Sequence, residues 1–287
     1  VSLSLLGKFS LFDQYVASLA PDALSLVRLK SGFGVKLVEK RHVVLAVSNH
    51  AQAWFSAVTE LEKLLMKSQR GMPITIVLSN QFVRYNIIPA MPALTASDKI
   101  ITVATHCFRE NYGDIVDGWL IRVSPLPDGD TLIASAVDAA LFNALEALSK
   151  KYGCKLKSIQ PYLMSGFNSI RRQVNDHPSC YVQVEAGRIS IALTQDGRWQ
   201  SIAGCGVGQD WSESLVSLIT REMLLAGWKD VQATIYFSGL SKSQDLKSFE
   251  SFNKISPWKS VQVSNKAVTG YSAKSDQFYA MAMSVAG

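Results

Sequence analysis

The spacing of apolar and polar positions divides the chain into short elements. Residues 24–29 and 35–47 are rich in Val and Leu, and Ser31-Gly32-Phe33-Gly34 between them supplies two glycines for a tight turn, so a β-hairpin is predicted. Ser48-Asn49 offers a cap. Trp54, Phe55, Val58, Leu61, Leu64 and Leu65 then recur on one face at helical spacing, which predicts a helix over 50–68. Gly71 and Pro73 stop that helix, and residues 74–78 form an apolar run interrupted only by Thr75, the pattern of a strand buried on both faces. Ser79-Asn80-Gln81 turns the chain into a strand over 82–88. Pro89 and Pro92 end it, because proline has no N–H to give a ladder. Thr95 or Ser97 caps a second helix whose stripe is Ile100, Ile101, Ala104, Cys107 and Phe108.

Residues 119–123 and 131–137 predict another hairpin across Pro125-Leu126-Pro127-Asp128-Gly129. Asp138 opens a helix with Leu141, Phe142, Leu145 and Leu148 facing inward, closed by Gly153 as a left-handed cap. A short strand over 156–160 and a helix over 163–174 lead to Asn175-Asp176-His177-Pro178-Ser179, a turn-rich stretch that marks a lobe boundary. The second half restarts with a meander of strands at 180–185, 188–194 and 199–203. A helix over 211–225, a strand over 232–238, a polar Ser/Lys segment, a strand at 261–263 and a terminal helix over 275–285 follow. Meanders followed by helix–strand alternation in both halves predict an α/β fold of two related lobes, with mixed sheets flanked by helices. The first lobe spans 1–177, with the C-terminal helix at 275–287 as a contributor, and the second spans 178–274.

Composition narrows the class. At 287 residues the chain exceeds the usual size of one core, and 48% apolar with 18% charged residues indicates a globular state. No stretch approaches the roughly 20 apolar residues of a membrane-spanning helix, and Lys8 breaks the apolar opening, so neither membrane insertion nor export is expected. Cys107, Cys154, Cys180 and Cys205 form no Cys-x-x-Cys pair, which points to reduced thiols of a cytoplasmic protein and to no metal site. The net charge of +6 suits nucleic acid, anionic lipid or an acidic protein. The basic residues are scattered as Lys40-Arg41, Lys150-Lys151 and Arg171-Arg172 without an aromatic platform, so nucleic acid is not the expected partner. His42, His50, His106 and His177 lack metal-ligand spacing, and no Gly-x-Ser-x-Gly elbow is present. Gly204-x-Gly206-x-Gly208 differs from the dinucleotide pattern Gly-x-Gly-x-x-Gly and reads as packing or a turn. Pro89, Met91, Pro92 and Leu94 fit a partner groove or a buried loop equally well.

Several of these pieces resemble the actin-like ATPase superfamily of ribonuclease H-like fold, in its PilM and GspL branch of type IV pilus and type II secretion assembly. Ser31-Gly32-Phe33-Gly34-Val35-Lys36-Leu37-Val38-Glu39 is similar to the family's opening hairpin, and residues 74–89 to its strand pair ending at proline. Residues 132–138 and 152–156 resemble its strand, helix, glycine and strand succession, and residues 278–287 its closing helix. In the second lobe Glu185-Ala186-Gly187 is placed like the second phosphate turn, Gly204-Cys205-Gly206-Val207-Gly208 like the passage after it, and Ser238-Gly239-Leu240 like the adenosine turn.

The resemblance implies a nucleotide site at Gly32, Gly34, Lys36, Glu185, Gly187, Gly206, Gly208, Ser238 and Gly239, in degenerate form. Turnover requires magnesium held by carboxylates and an acid that orients water. The strand at 24–30, taken as the first, holds Arg28 and Lys30 and no acid, while Glu185 is the one carboxylate at the second turn. Leu240 replaces the second glycine of the family's adenosine turn and would obstruct entry. A non-catalytic scaffold without bound ATP or magnesium is therefore expected, docking protein components of an inner-membrane assembly platform from the cytoplasm. The alternative is an ATPase or sugar-kinase-like phosphotransferase that recruits Asp138 or Asp210.

Overall fold

The computed structural model describes residues 13–32, 34–46, 52–89, 97–125, 131–174, 177–208, 210–229, 231–240, 243–265 and 268–286. The predicted caps at Ser48-Asn49 and Thr95, the loop through Met91, Pro92 and Leu94, the interior of the 125–129 turn and Asn175-Asp176 lie outside these residues.

The described residues open with three antiparallel strands, β1 (Gln14–Leu19), β2 (Ala23–Lys30) and β3 (Lys36–Val44), followed by helix α1 (Phe55–Met66) and strand β4 (Pro73–Leu78). Strand β5 (Val83–Pro89), helix α2 (Ser97–Tyr112), a 3-10 turn, and strands β6 (Trp119–Pro125) and β7 (Thr131–Asp138) then intervene before helix α3 (Ala139–Lys151) and strand β8 (Lys155–Pro161). The first sheet has the order β3-β2-β1-β4-β8, with β4 parallel to both β1 and β8. The intervening strands make their own sheet, β5-β7-β6.

Helix α4 (Tyr162–Ile170) leads to the second half: strands β9 (Ser179–Glu185), β10 (Arg188–Gln195) and β11 (Arg198–Gly206), helix α5 (Ser212–Leu225), strand β12 (Thr234–Ser238), helix α6 (Ser243–Ile255) and strand β13 (Lys259–Gln262). Its sheet has the order β11-β10-β9-β12-β13, the same meander-then-parallel topology as the first. This repetition gives the two related halves of an α/β fold.

Residue periodicity explains the layers. Ala57, Leu61 and Leu65 of α1 and Leu141, Leu145 and Leu148 of α3 bury against one face of the first sheet. Asp138 caps α3 by accepting from the Ala140 N–H at 2.8 Å, and its other oxygen accepts from Trp54 Nε1 at 2.7 Å. In the second half Cys180, Val182 and Val184 face α5 and α6 while Tyr181 faces α4, as a two-residue period requires.

Four sequence expectations are corrected. The predicted hairpin is β2–β3, and β1 precedes it as the first strand. Residues 74–78 and 82–88 do not pair, because β4 and β5 belong to different sheets, and Pro89 still lies opposite Thr131 in the ladder. The polar Ser/Lys segment contains α6, anchored by fully buried Phe252. The terminal helix is shorter and broken, a 3-10 turn (Gln277–Tyr279) followed by α7 (Ala280–Met283). Residues 268–286 return to the first sheet. Leu37 N–H donates to Thr269 O at 2.8 Å, and Val268, Ala282, Met283 and Ala286 cover Val16, Val27 and Val77.

Candidate functional site

The parallel strands of both sheets end at one crevice. At the end of β4, the Ser79 N–H donates to Leu19 O at 2.8 Å, which brings Ser79-Asn80-Gln81 beside the β1–β2 turn. At the end of β9 stands Glu185. Ser79 Oγ donates to Glu185 Oε2 at 2.5 Å, and Asn80 gives Oε1 its N–H at 3.2 Å and its Nδ2 at 2.6 Å. Asn80 Nδ2 also donates to Gln183 Oε1 at 2.8 Å, while Asn80 Oδ1 accepts from Tyr85 Oη at 2.6 Å and from the Leu163 N–H at 3.0 Å. Both donors and both acceptors of this fully buried amide are thus used. Gln81 Nε2 adds a bond to Ala186 O at 3.0 Å. Three consecutive residues after β4 therefore fasten the first sheet to the end of β9.

The network continues across the crevice floor. Gln183 Nε2 donates to Tyr181 Oη at 3.1 Å and to Tyr162 O at 3.3 Å, and Tyr181 Oη shares a 2.6 Å bond with Ser238 Oγ. Helix α4 can approach because Gly166 has no side chain: a β-carbon there would lie 2.3 Å from Gln183 Nε2 and 2.6 Å from Tyr181 Oη.

Of the residues predicted to bind nucleotide, the structure gathers one set and separates another. Glu185, Gly187, Gly206, Ser238 and Gly239 lie at the crevice end of the second sheet, and Gly208 follows two residues after β11. Gly187 turns β9 into β10, and its carbonyl accepts from the Val207 N–H at 3.0 Å. Gly239 has φ +80°, and a β-carbon on it would sit 2.2 Å from Val184 O, so backbone packing alone demands glycine there. Gly32, Gly34 and Lys36 lie at the opposite end of the first sheet. Leu24 pairs with Leu19 at the crevice end and Leu29 with Gln14 at the other, so the 31–36 turn stands beyond the length of β2 from Ser79. Lys36 instead bridges to Thr269. The true first strand, Gln14–Leu19, also carries no acid, and Asp13 before it pairs with Arg28 at 3.4 Å. Sequence reasoning missed Ser79, Asn80, Tyr85, Tyr162, Tyr181 and Gln183. The one signal available was a polar triplet directly after a strand that is apolar but for Thr75.

The electrostatics follow from enclosure. Burial pushes the Glu185 carboxyl up to about 7, against the bonds from Ser79 and Asn80 and the charge of Arg188. Burial likewise raises the Tyr85, Tyr162 and Tyr181 phenols. Burial, then the neighbouring charge of Arg188, lowers the Arg84 guanidinium.

These residues do not fit magnesium-ATP. The crevice cavity lined by Tyr162, Tyr181, Gln183, Ser238, Gly239 and Tyr271 encloses about 70 Å³, whereas small-molecule sites run to roughly 300–1,000 Å³. Glu185 is the one carboxylate in the network, and both its oxygens are engaged by the protein. No group of three acidic, His or Cys ligands exists among the described residues. The substitutes are engaged elsewhere: Asp138 caps α3, and Asp210, before α5, accepts from Ser212 Oγ at 2.8 Å. Arg188 Nε is buried without a partner, but a guanidinium supplies no metal ligand. Leu240 is buried in the second core, so its isobutyl group packs inward.

No protein-family model matches the chain, and no curated protein matches it. Solved structures do. The chain superposes on PilM of a PilM–PilN type IV pilus biogenesis complex with a TM-score of 0.66 at 13% identity, covering 96% of this chain and 98% of that one. A Bacteroides thetaiotaomicron protein with actin-like ATPase fold and unknown function matches at 0.62 and 12% identity over 88% and 91%. The cytoplasmic domain of EpsL, an inner-membrane component of the Vibrio cholerae type II secretion system, matches at 0.56 and 9% identity over 96% and 94%. With its two sheets of repeated topology and these likenesses over nearly its whole length, the chain has the actin-like ATPase fold.

Proposed function

We propose that this protein is a non-catalytic, actin-like scaffold of a bacterial type IV pilus or type II secretion assembly, which docks protein partners at the cytoplasmic face of the inner membrane. The observation that carries the proposal is the closed crevice: Ser79 and Asn80 occupy both oxygens of Glu185, where a nucleotide enzyme needs a free carboxylate. A fold that keeps its two halves fastened by side chains has exchanged turnover for rigidity. The likeness to PilM in its complex with PilN and to EpsL supports the assembly role. Among the described residues no helix is long and apolar enough to cross a membrane. In this reading the lobes are 1–177 and 178–274, with the C-terminal segment completing the first, and no ATP or magnesium is needed.

Affinity isolation of the full chain from detergent-extracted native inner membranes tests the role. Recovery of pilus or secretion components, undiminished by added magnesium-ATP or by EDTA, is expected. Recovery of none of them, or release on nucleotide addition, would overturn it.

A further inference from the structure

A second concavity lies at the end of the second lobe opposite the crevice. There α5 and α6 end and the chain enters β12 and β13. The two loops bring Trp228 and Trp258 to one site beside Met223, and with Thr220, Leu224 and Pro257 they border an open hollow of about 460 Å³. That volume is several times the crevice cavity and falls within the range of real binding sites. Its floor is built: Trp228 and Met223 are buried as part of the second core. Its edge is apolar and open, with Leu224 59% exposed, and Leu225 (75%) and Ile255 (49%) exposed on the last turns of the same helices. Exposed aliphatic side chains near a tryptophan-lined hollow are the kind of apolar surface that marks interaction sites.

Among the described residues the one charged side chain that lines this hollow is a lysine. Lys229 lines it, and Lys254 and Lys259 flank Ile255 and Trp258; all three are exposed. Among the described residues none of the three has a carboxylate within ion-pair distance, and the lining contains no carboxylate; Asp230 lies outside those residues. Glu222 on α5 is turned inward, accepting from Ser201 Oγ at 2.6 Å and from Arg221 Nη2 at 2.8 Å.

We infer that this groove takes a peptide segment of a partner protein in which one or two large apolar side chains stand next to a run of acidic residues. The tryptophan-walled hollow seats the anchor, and Lys229 in its lining, with Lys259 next to Trp258, orients the carboxylates and speeds encounter. A lipid surface is the poorer occupant. Recognition of anionic membranes uses clusters of roughly four to eight basic residues on a protruding surface, whereas here one lysine lines a recess and Lys259 follows the lining residue Trp258. The inference rests on the docking reading and names the chemistry of one docking partner.

Fluorescence anisotropy with the full chain tests it, using a fluorescein-labelled peptide of about ten residues that carries Phe-Leu followed by four glutamates. A twin with four lysines and vesicles of phosphatidylglycerol serve as competing probes. Saturable micromolar binding of the acidic peptide is expected, weakened at least about tenfold in Leu224→Glu and in the Lys229→Glu/Lys259→Glu double variant, and weakened by salt. These residues are exposed, so the variants keep the wild-type circular dichroism. Absence of saturable binding up to about 1 mM, equal binding of the lysine twin, insensitivity to the substitutions, or preference for vesicles would each overturn the inference. If the peptide fails while the chain is still recovered with inner-membrane components, the groove is rejected and docking stands; failure of both rejects both.

Discussion

Asn80 is a junction of the crevice network, because its one amide reaches Gln183 and Glu185 across the crevice and Tyr85 and the Leu163 N–H on its own side. Asn80→Ala leaves several buried polar groups without partners, each costing about 1–3 kcal/mol. A loss of roughly 3 kcal/mol in urea unfolding is expected, and a loss within about 0.5 kcal/mol, the usual surface value, would contradict this account. Glu185 adds a pH signature. Its carboxyl is raised from an ordinary 4.5 to about 7, so between those values the folded protein keeps a proton that the unfolded chain has lost. Stability therefore falls as pH rises through that window, by at most about 1.4 kcal/mol per pH unit, and levels off above it. His42, held below 6.5 mainly by burial, works in the opposite sense, losing stability as pH falls. The difference between wild type and Glu185→Gln cancels that contribution: its pH slope should lie between 4.5 and about 7, and a flat difference would remove Glu185 from the account. Of the site, Glu185 and the second-lobe glycines were legible because turns have composition rules. The amide network was not, since hydrogen bonds across a hundred residues leave no local pattern.

Elements of strong periodicity were legible as well. The stripes of α1, α3 and α5, the β2–β3 and β6–β7 hairpins, and the β9–β11 meander follow from residue spacing. Three elements escaped for distinct physical reasons. Gln14–Leu19 buries all six residues, including Gln14 and Ser18, so it lacks the alternation that announces a half-exposed strand. Helix α6 fully buries only Ser248 and Phe252, and its remaining apolar residues Leu246, Phe249 and Ile255 are scattered among polar ones, with tertiary packing supplying what propensity does not. The segment at 79–81 has a hairpin turn's composition but passes the chain between two sheets. At this scale the C-terminal segment is a working part of the first sheet. Lys40 Nζ meets Asp276 Oδ1 at 2.7 Å, Ser25 Oγ donates to Phe278 O at 2.8 Å, and His42 stacks on Phe278 at 4.6 Å. A chain ending at Ser264 would expose Val16, Val27 and Val77, each worth about 1.5–3 kcal/mol when buried. It should bind anilinonaphthalene sulfonate and melt well below the full chain; unchanged melting would contradict the packing described.

At the scale of the molecule, two copies of one topology face each other across a crevice, and what fills that crevice decides the function. The fold could be read from the succession of meanders and helices. The closure of the crevice could not, because it depends on where β4 and β9 end relative to each other in space. Isothermal titration calorimetry of the wild-type chain with magnesium-ATP, paired with a phosphate-release assay, tests the central claim most directly. The closed, single-carboxylate crevice predicts no saturable heat up to about 1 mM nucleotide and no release above background; micromolar, magnesium-dependent binding accompanied by phosphate release would contradict it.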